Sequence, residues 1–186
     1  MTRLAIVGYP EMSPVDGAWI ESVRGRHDPQ APRIGAHFTL VFPAALALDT
    51  IVAHASTVAR RAPAIPFVLR DVIAVPDAFA EGGHVFLVPD EGGADITALH
   101  GLLYEGPLRA FLRDDLPFVP HVTVGAASDL ARCEEIRQEV ARSLRAIEGT
   151  IRSLDVVEIG DHGIRTATRF DLTGHIEAGE RWHESR

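Results

Sequence analysis

Two short strings carry the residue types that move protons and hold phosphate. They are His37-Phe38-Thr39-Leu40 and His121-Val122-Thr123-Val124, 84 residues apart. Histidine's unperturbed pKa near 6.5 lets one imidazole be neutral and another charged near neutral pH, so a pair can take and give a proton in one step. Threonine hydroxyls beside them can donate to non-bridging oxygens as charge develops there. The set would suit the opening of a cyclic phosphodiester, which needs a base for water, an acid for the departing ribose oxygen and donors for the phosphoryl oxygens. The spacing leaves open which histidine is base and which acid.

On a β-strand successive side chains alternate between faces, so His and Thr at i and i+2 share one face while Phe38/Leu40 and Val122/Val124 fill the other. Each string therefore reads as a strand with an apolar back on a core and a His/Thr front on a cleft. The same offset carries Asp71-Val72-Ile73 onto Asp155-Val156-Val157, Val75 onto Ile159, Asp77 onto Asp161 and Phe86 onto Phe170. The expectation is an α+β fold, bilobal and duplicated. Two lobes related by a pseudo-twofold axis each hold an antiparallel sheet backed by helices, with a central cleft between them. Residues 1–175 form one domain in this reading, and 176–186 a polar tail.

Hydrophobic periodicity supplies the elements that must position the two strings. Leu4–Gly8 is an apolar strand. Pro14–Arg26 is a helix with Val15, Ala18/Trp19 and Ser22/Val23 on one stripe. Asp28–Arg33 is a loop leading into the first motif strand, Ile34–Phe42, which Pro43 ends. A helix over Leu46–Arg61 carries Ile51, Ala55, Val58 and Ala62, and strands follow at Ile65–Val75 and His84–Val88. Asp95 is the expected N-cap of a helix with Leu99, Leu102 and Leu103 inward, and Pro107 breaks it before a short piece burying Leu108, Phe111 and Leu112. The clearest amphipathic helix is Ser128–Ile147, with Leu130, Cys133, Ile136, Val140, Leu144 and Ile147 in its stripe and Gly149 after it. Strands over Ile151–Ile159 and Ile164–Leu172 complete the pattern.

Composition narrows the chemistry. Hydrophobic residues make up 46 % and charged residues 24 %, ordinary for one soluble domain of 186 residues. The apolar run in Met1–Pro10 is too short for a signal or membrane segment, so a cytoplasmic monomer with no membrane and no obligatory protein partner is expected. All 18 basic residues are arginine. Without lysine there is no P-loop lysine, no adenylated lysine and no Schiff base. A net charge of −8 weighs against wide contact with a nucleic-acid backbone. Cys133 is the only cysteine, so neither an intrachain disulfide nor a Cys-based zinc cluster can form. No motif of the His-Glu-x-x-His type is present, and no metal or other cofactor is expected. His27, His54, His84, His100, His162, His175 and His183 read as surface histidines, and Asp71 and Asp155 as structural. Tyr9, ending the first strand, and Phe118, between Pro117 and Pro120, are candidates to stack a base, against the plainer reading of both as core aromatics.

Paired His-x-Thr strands in a duplicated α+β chain resemble the two-histidine (2H) phosphoesterase superfamily, which includes bacterial 2′–5′ RNA ligase-like proteins and cyclic phosphodiesterases. The likeness spans about Leu4 to Leu172. It rests on the two tetrapeptides, Val119-Pro120-His121, the Phe42-Pro43 exit and Pro66-Phe67-Val68-Leu69; Gly35-Ala36 departs from the Pro-His often found before the first motif. The resemblance implies catalysis by His37, Thr39, His121 and Thr123, without metal, on 2′,3′-cyclic phosphate ends of RNA or small cyclic nucleotides. A 2′-phosphate would be left, and 2′–5′ RNA ligation would be the reverse transfer. Two other classes compete with this one. A non-catalytic module binding a nucleotide or RNA end in the same cleft needs no two proton-transfer groups. A metal-dependent hydrolase lacks its ligands.

Overall fold

The computed structural model describes residues 2–78, 80–160 and 163–174. In chain order the elements are β1 (Arg3–Gly8), β2 (Pro10–Met12), α1 (Pro14–His27), β3 (Phe38–Ala44), α2 (Leu48–Ala59), β4 (Ile65–Pro76) and β5 (Gly83–Glu91). There follow α3 (Gly93–Leu103), a 3₁₀ turn (Gly106–Phe111), β6 (Val122–Ala127), α4 (Leu130–Ser143), β7 (Ile147–Ile151), β8 (Ser153–Gly160) and β9 (Gly163–Asp171). Local chemistry sets several ends. Ser13 caps α1 by accepting from the Asp16 amide at 3.1 Å, with Pro14 in the first turn. Asp129 caps α4 by accepting from the Arg132 amide at 2.8 Å. Gly82, with φ of 104°, turns the chain into β5, and a Cβ there would collide with the Ala127 carbonyl.

All strand pairs are antiparallel, in the order β2-β7-β4-β5-β6-β3-β1-β8-β9. Two groups, β2-β7-β4-β5-β6 and β3-β1-β8-β9, join at one residue pair, Phe38 opposite Val122. The sheet cannot be flat. β1 and β2 are linked through Tyr9 alone, a reach of ~7 Å, yet they stand six strand spacings apart, roughly 29 Å if flat. The sheet must therefore curl until β7 lies across β1. At that crossing a Cβ on Gly8 would sit 2.8 Å from Ile151 Cγ2, so glycine permits the approach. The rings of Phe38 on β3 and Phe67 on β4 meet edge to face, 5.1 Å between centroids. One main apolar cluster takes residues from all four helices, among them Ile20, Ile51, Leu99 and Ile136. A second, smaller cluster of Ala5, Val7 and Val157, with Tyr9, Ile159 and Ile164 against it, contains the apolar residues that line the cleft on this side.

Several expectations are corrected. There is one continuous curled sheet rather than two separate ones. β2 and β7 are additional strands, so Ile147 begins a strand instead of ending the long helix, and Leu144 only caps α4. β3 starts later than expected and runs through Pro43. The N-cap of α3 is Gly92, with Asp95 inside the first turn. The buried face of α1 is Ile20, Val23 and Arg24, while Val15 is 78 % exposed. The offset of 84 carries β4 onto β8, each two strands from a motif strand, but not in the same register. Two strands from Thr39 lies Asp155, but two strands from Thr123 lies Ile73. Likewise β5 adjoins β6, whereas β9, which carries Phe170, lies three places from β3. The matches at Asp161 and the polar tail fall outside the described residues.

Candidate active site

His37 and His121 each stand one residue before a strand, β3 and β6. The antiparallel pairing of Phe38 with Val122 sets His37 abreast of Thr123 and Thr39 abreast of His121. By strand alternation the four side chains share the face opposite Phe38 and Val122, both fully buried in the core. The same local device orients both imidazoles: Nδ1 of His37 bonds the Gly35 carbonyl at 2.8 Å, and Nδ1 of His121 bonds the Val119 carbonyl at 2.6 Å. A carbonyl can only accept, so each Nδ1 carries a proton and each Nε2 is the nitrogen left to gain or lose one.

The surroundings of the two rings differ. Tyr9 lies edge-on to His37, 6.2 Å between centroids. Burial, and behind it the Asp155 carboxylate, pushes the Tyr9 phenol up, against its hydrogen bond with Thr166. Asp155 itself is fully buried and held by Arg169 Nε at 3.0 Å and the Ser153 hydroxyl at 3.2 Å. The loop before His37 is clamped by α1. Arg24 donates to Asp28, to both oxygens of Glu21 and to the Ile34 carbonyl, and Glu21 accepts from the Ala36 amide at 2.6 Å. Burial lowers the His37 pKa. The Gly35 hydrogen bond opposes this, Arg24 adds to it, and Asp28 and Glu21 favour the charged ring.

His121 has an aromatic neighbour instead. Phe86, on β5 abreast of Thr123, stacks on it with 3.6 Å between centroids and 17° between planes. His84 stacks on Phe86 in turn, at 5.7 Å and 11°. Burial brings His121 down to about 4, the Val119 carbonyl opposes the fall, and positive charge on His37 and His84 adds to it. Behind His84, Asp77 Oδ2 bonds its Nε2 at 2.9 Å.

A cleft of about 310 Å³ lies over this face. His37, Thr39, Thr123 and His84 line it, with Arg24 and Asp28 at one end and Ala5, Val7, Val157, Ile159 and Ile164 as its apolar part. His121 is not among the lining residues; the pairing of Phe38 with Val122 sets it abreast of Thr39 and so brings the four His and Thr residues together on one face. Tyr9 meets the site through its contact with His37, without lining the cleft. Phe118 does not line it either: its ring stacks on buried His100 at 3.7 Å and packs against the main core.

His84 and Phe86 are site residues that motif reading passed over. Their signal is the alternation Gly83-His84-Val85-Phe86-Leu87, which sets both on one face with Val85 and Leu87 buried behind. Other histidines also leave the surface class. His100 is buried with Nδ1 on the Leu40 carbonyl at 2.9 Å, His27 is largely buried against Glu139, and His54 bonds the Leu103 carbonyl. His162, His175 and His183 lie outside the described residues. Among the described residues no group of three or more His, Cys, Asp or Glu is arranged to hold a metal ion, and no helix is long and apolar enough to cross a membrane. Cys133 is buried on α4, and burial pushes its thiol up.

The comparisons with known proteins agree with this fold. E. coli LigT complexed with 3′-AMP superposes with a TM-score of 0.61 at 18 % identity, covering 92 % of this chain and 98 % of that one. TT0787 of Thermus thermophilus gives 0.59 at 18 % identity, over 94 % and 100 % of the two chains. Usb1 of Kluyveromyces marxianus gives 0.52 at 10 % identity, over 88 % and 96 %. At these identities the likeness is one of fold. No curated protein matches the chain. The profile of the 2′-5′ RNA ligase superfamily matches residues 12–163, so the chain belongs to that superfamily, the two-histidine phosphoesterases whose motifs its sequence displays.

Proposed function

We propose that the protein is a metal-independent phosphoesterase that opens 2′,3′-cyclic phosphates, on RNA ends or small nucleotides, by paired histidine acid–base catalysis. The observation that carries this is the shared tautomer. Both Nδ1 protons are tied to carbonyls two residues back, so both Nε2 atoms are committed to proton transfer. The two strand groups act as counterpart lobes about the β3–β6 junction, within a single domain ending near residue 175.

The difference in surroundings supports a division of roles. His121, down to about 4, is neutral at physiological pH and is the base. His37, also lowered by burial but with the Gly35 carbonyl, Asp28 and Glu21 opposing the fall, is the acid. A water oxygen attacks phosphorus opposite the 3′ oxygen and gives its proton to His121 Nε2. The P–O3′ bond breaks as His37 Nε2–H protonates the departing oxygen, leaving a 2′-phosphate. Thr39 and Thr123 donate to the non-bridging oxygens. A ribose 5′ hydroxyl in place of water would give a 2′–5′ bond, and neither route calls for lysine. The apolar part of the cleft suits a nucleoside, and E. coli LigT, of the same fold, forms a complex with 3′-AMP.

The test is incubation with 2′,3′-cyclic AMP and short RNAs ending in a cyclic phosphate, with and without EDTA, identifying the product isomer. The expected product is a 2′-phosphate at an unchanged rate in EDTA. Loss of turnover in EDTA with recovery on adding a divalent ion would overturn the mechanism. Tight binding with no turnover of any cyclic phosphate would make the protein a binding module.

A further inference from the structure

We propose that His84 is a third substrate-contacting histidine, which supplies the cationic contact for a phosphate in this cleft, with Asp77 as its positioning residue. The inference rests on the reading of the cleft as a nucleotide phosphate site. It begins with a charge problem. A phosphate entering the cleft needs a cation, and the chain has no lysine. The arginine lining the cleft, Arg24, is 1 % exposed and already committed. A guanidinium has five N–H groups. All three nitrogens of Arg24 are engaged: Nε donates to Asp28 at 3.0 Å, Nη1 to the Glu21 carboxylate at 2.9 Å and Nη2 to the Ile34 carbonyl at 2.7 Å, with Asp28 forming an ion pair to Nη2 at 2.9 Å. Diverting any of them would release the loop that carries His37.

His84 has what Arg24 lacks. It lines the same cleft as Thr123, its side chain is 35 % exposed, and it lies two residues from Phe86 on the same face of β5. Its ring is fixed from two directions. Phe86 stacks on it from the His121 side, and Asp77 Oδ2 holds Nε2 at 2.9 Å while Asp77 Oδ1 accepts from the Ala80 amide at 3.1 Å. An acceptor carboxylate at Nε2 leaves Nδ1 as the ring nitrogen for a ligand. An imidazolium can donate from both nitrogens, one to Asp77 and one to a phosphoryl oxygen. The arrangement gives His84 a different task from the two motif histidines: it binds and does not transfer a proton to or from the reacting oxygens.

The experiment compares wild type with His84→Gln, His84→Lys and Asp77→Asn. Binding of adenosine 2′-monophosphate and of adenosine is measured by calorimetry, alongside kcat and KM on 2′,3′-cyclic AMP and the melting temperature. For His84→Gln, 2′-AMP affinity should fall ~10-fold or more, the size of one charge-assisted hydrogen bond. KM should rise in step, kcat should stay within about threefold of wild type, and adenosine binding should be unchanged. His84→Lys, which restores a cation, should recover most of the loss, and Asp77→Asn should lie between wild type and His84→Gln. Undiminished 2′-AMP affinity in His84→Gln, with wild type active, overturns this inference and leaves the phosphoesterase reading standing. A wild type that neither binds 2′-AMP nor opens the cyclic phosphate overturns both. If His84→Gln does not fold, Asp77→Asn with wild-type affinity for 2′-AMP overturns the inference by itself.

Discussion

His37 and His121 share a motif, a tautomer and a sheet face, yet the molecule builds two different environments around them. His37 sits at the end of a loop clamped by Arg24, Glu21 and Asp28, with Tyr9 edge-on. His121 is pressed under Phe86, with a second imidazole behind that ring. Burial lowers both rings; at His37 the Asp28 and Glu21 carboxylates oppose the fall, while at His121, brought to about 4, the charges of His37 and His84 add to it. In the proposed mechanism that difference in setting decides which ring of the coupled pair gives up its proton first.

The sharpest way to break this comparison is to remove each ring and change the leaving group. His37→Ala and His121→Ala should each lower kcat on a 2′,3′-cyclic nucleotide by roughly 10²–10⁴. The double variant should fall far short of the product of the two losses, because both act in one step. On a p-nitrophenyl phosphodiester, whose leaving group needs no proton, His37→Ala should come back to within about tenfold of wild type while His121→Ala should not. Equal recovery of both variants would remove the assignment of base and acid. Thr39→Val and Thr123→Val should cost less, ~10²–10³ at most.

Acid pH should discriminate next. The pH profile should be bell-shaped, with limbs belonging to the pair. With His121 near 4, kcat/KM should persist in mild acid and fall as pH drops through about 4. Stability follows the same group. Above the unfolded value of 6.5 both states are neutral; below it the unfolded ring takes a proton that the folded one refuses until about 4. The protein should therefore lose stability as pH falls across that window, and chemical denaturation of His121→Gln should show a shallower dependence there.

The smallest effect sharpens the contrast most directly. Phe86→Leu keeps an apolar side chain but opens one face of His121, so kcat/KM should fall only ~2–10-fold while the acid limb moves up toward ordinary histidine. An unchanged limb would mean that the stack contributes nothing to the His121 environment.

Much of this was legible in local pattern. Period-two alternation put His and Thr on one face of each string, and the buried faces of Phe38 and Val122 bear it out. The helical stripe of Cys133, Ile136 and Val140 was readable because each of those contacts repeats within a turn or two of the chain. What escaped was set by partners distant in sequence. Val15 looked inward by spacing, but docking of α1 through Ile20 and Val23 decided its face. Ile147 fitted a helical stripe until pairing with Leu69 drew it into β7. The match of Phe86 with Phe170 at the motif offset did not survive strand pairing, since β5 went beside β6 while β9 went to the far edge.

The amino-acid sequence by itself determined the candidate reacting groups, the face they share and the missing lysine, because residue identity and strand alternation are local properties. The tertiary structure alone decided that Phe38 pairs with Val122, that Phe86 and His84 line up behind His121, and that Phe118 turns to His100 in the core. Those outcomes depend on how a curled sheet brings strands from distant parts of the chain together, and burial and charge at each imidazole follow from that curl.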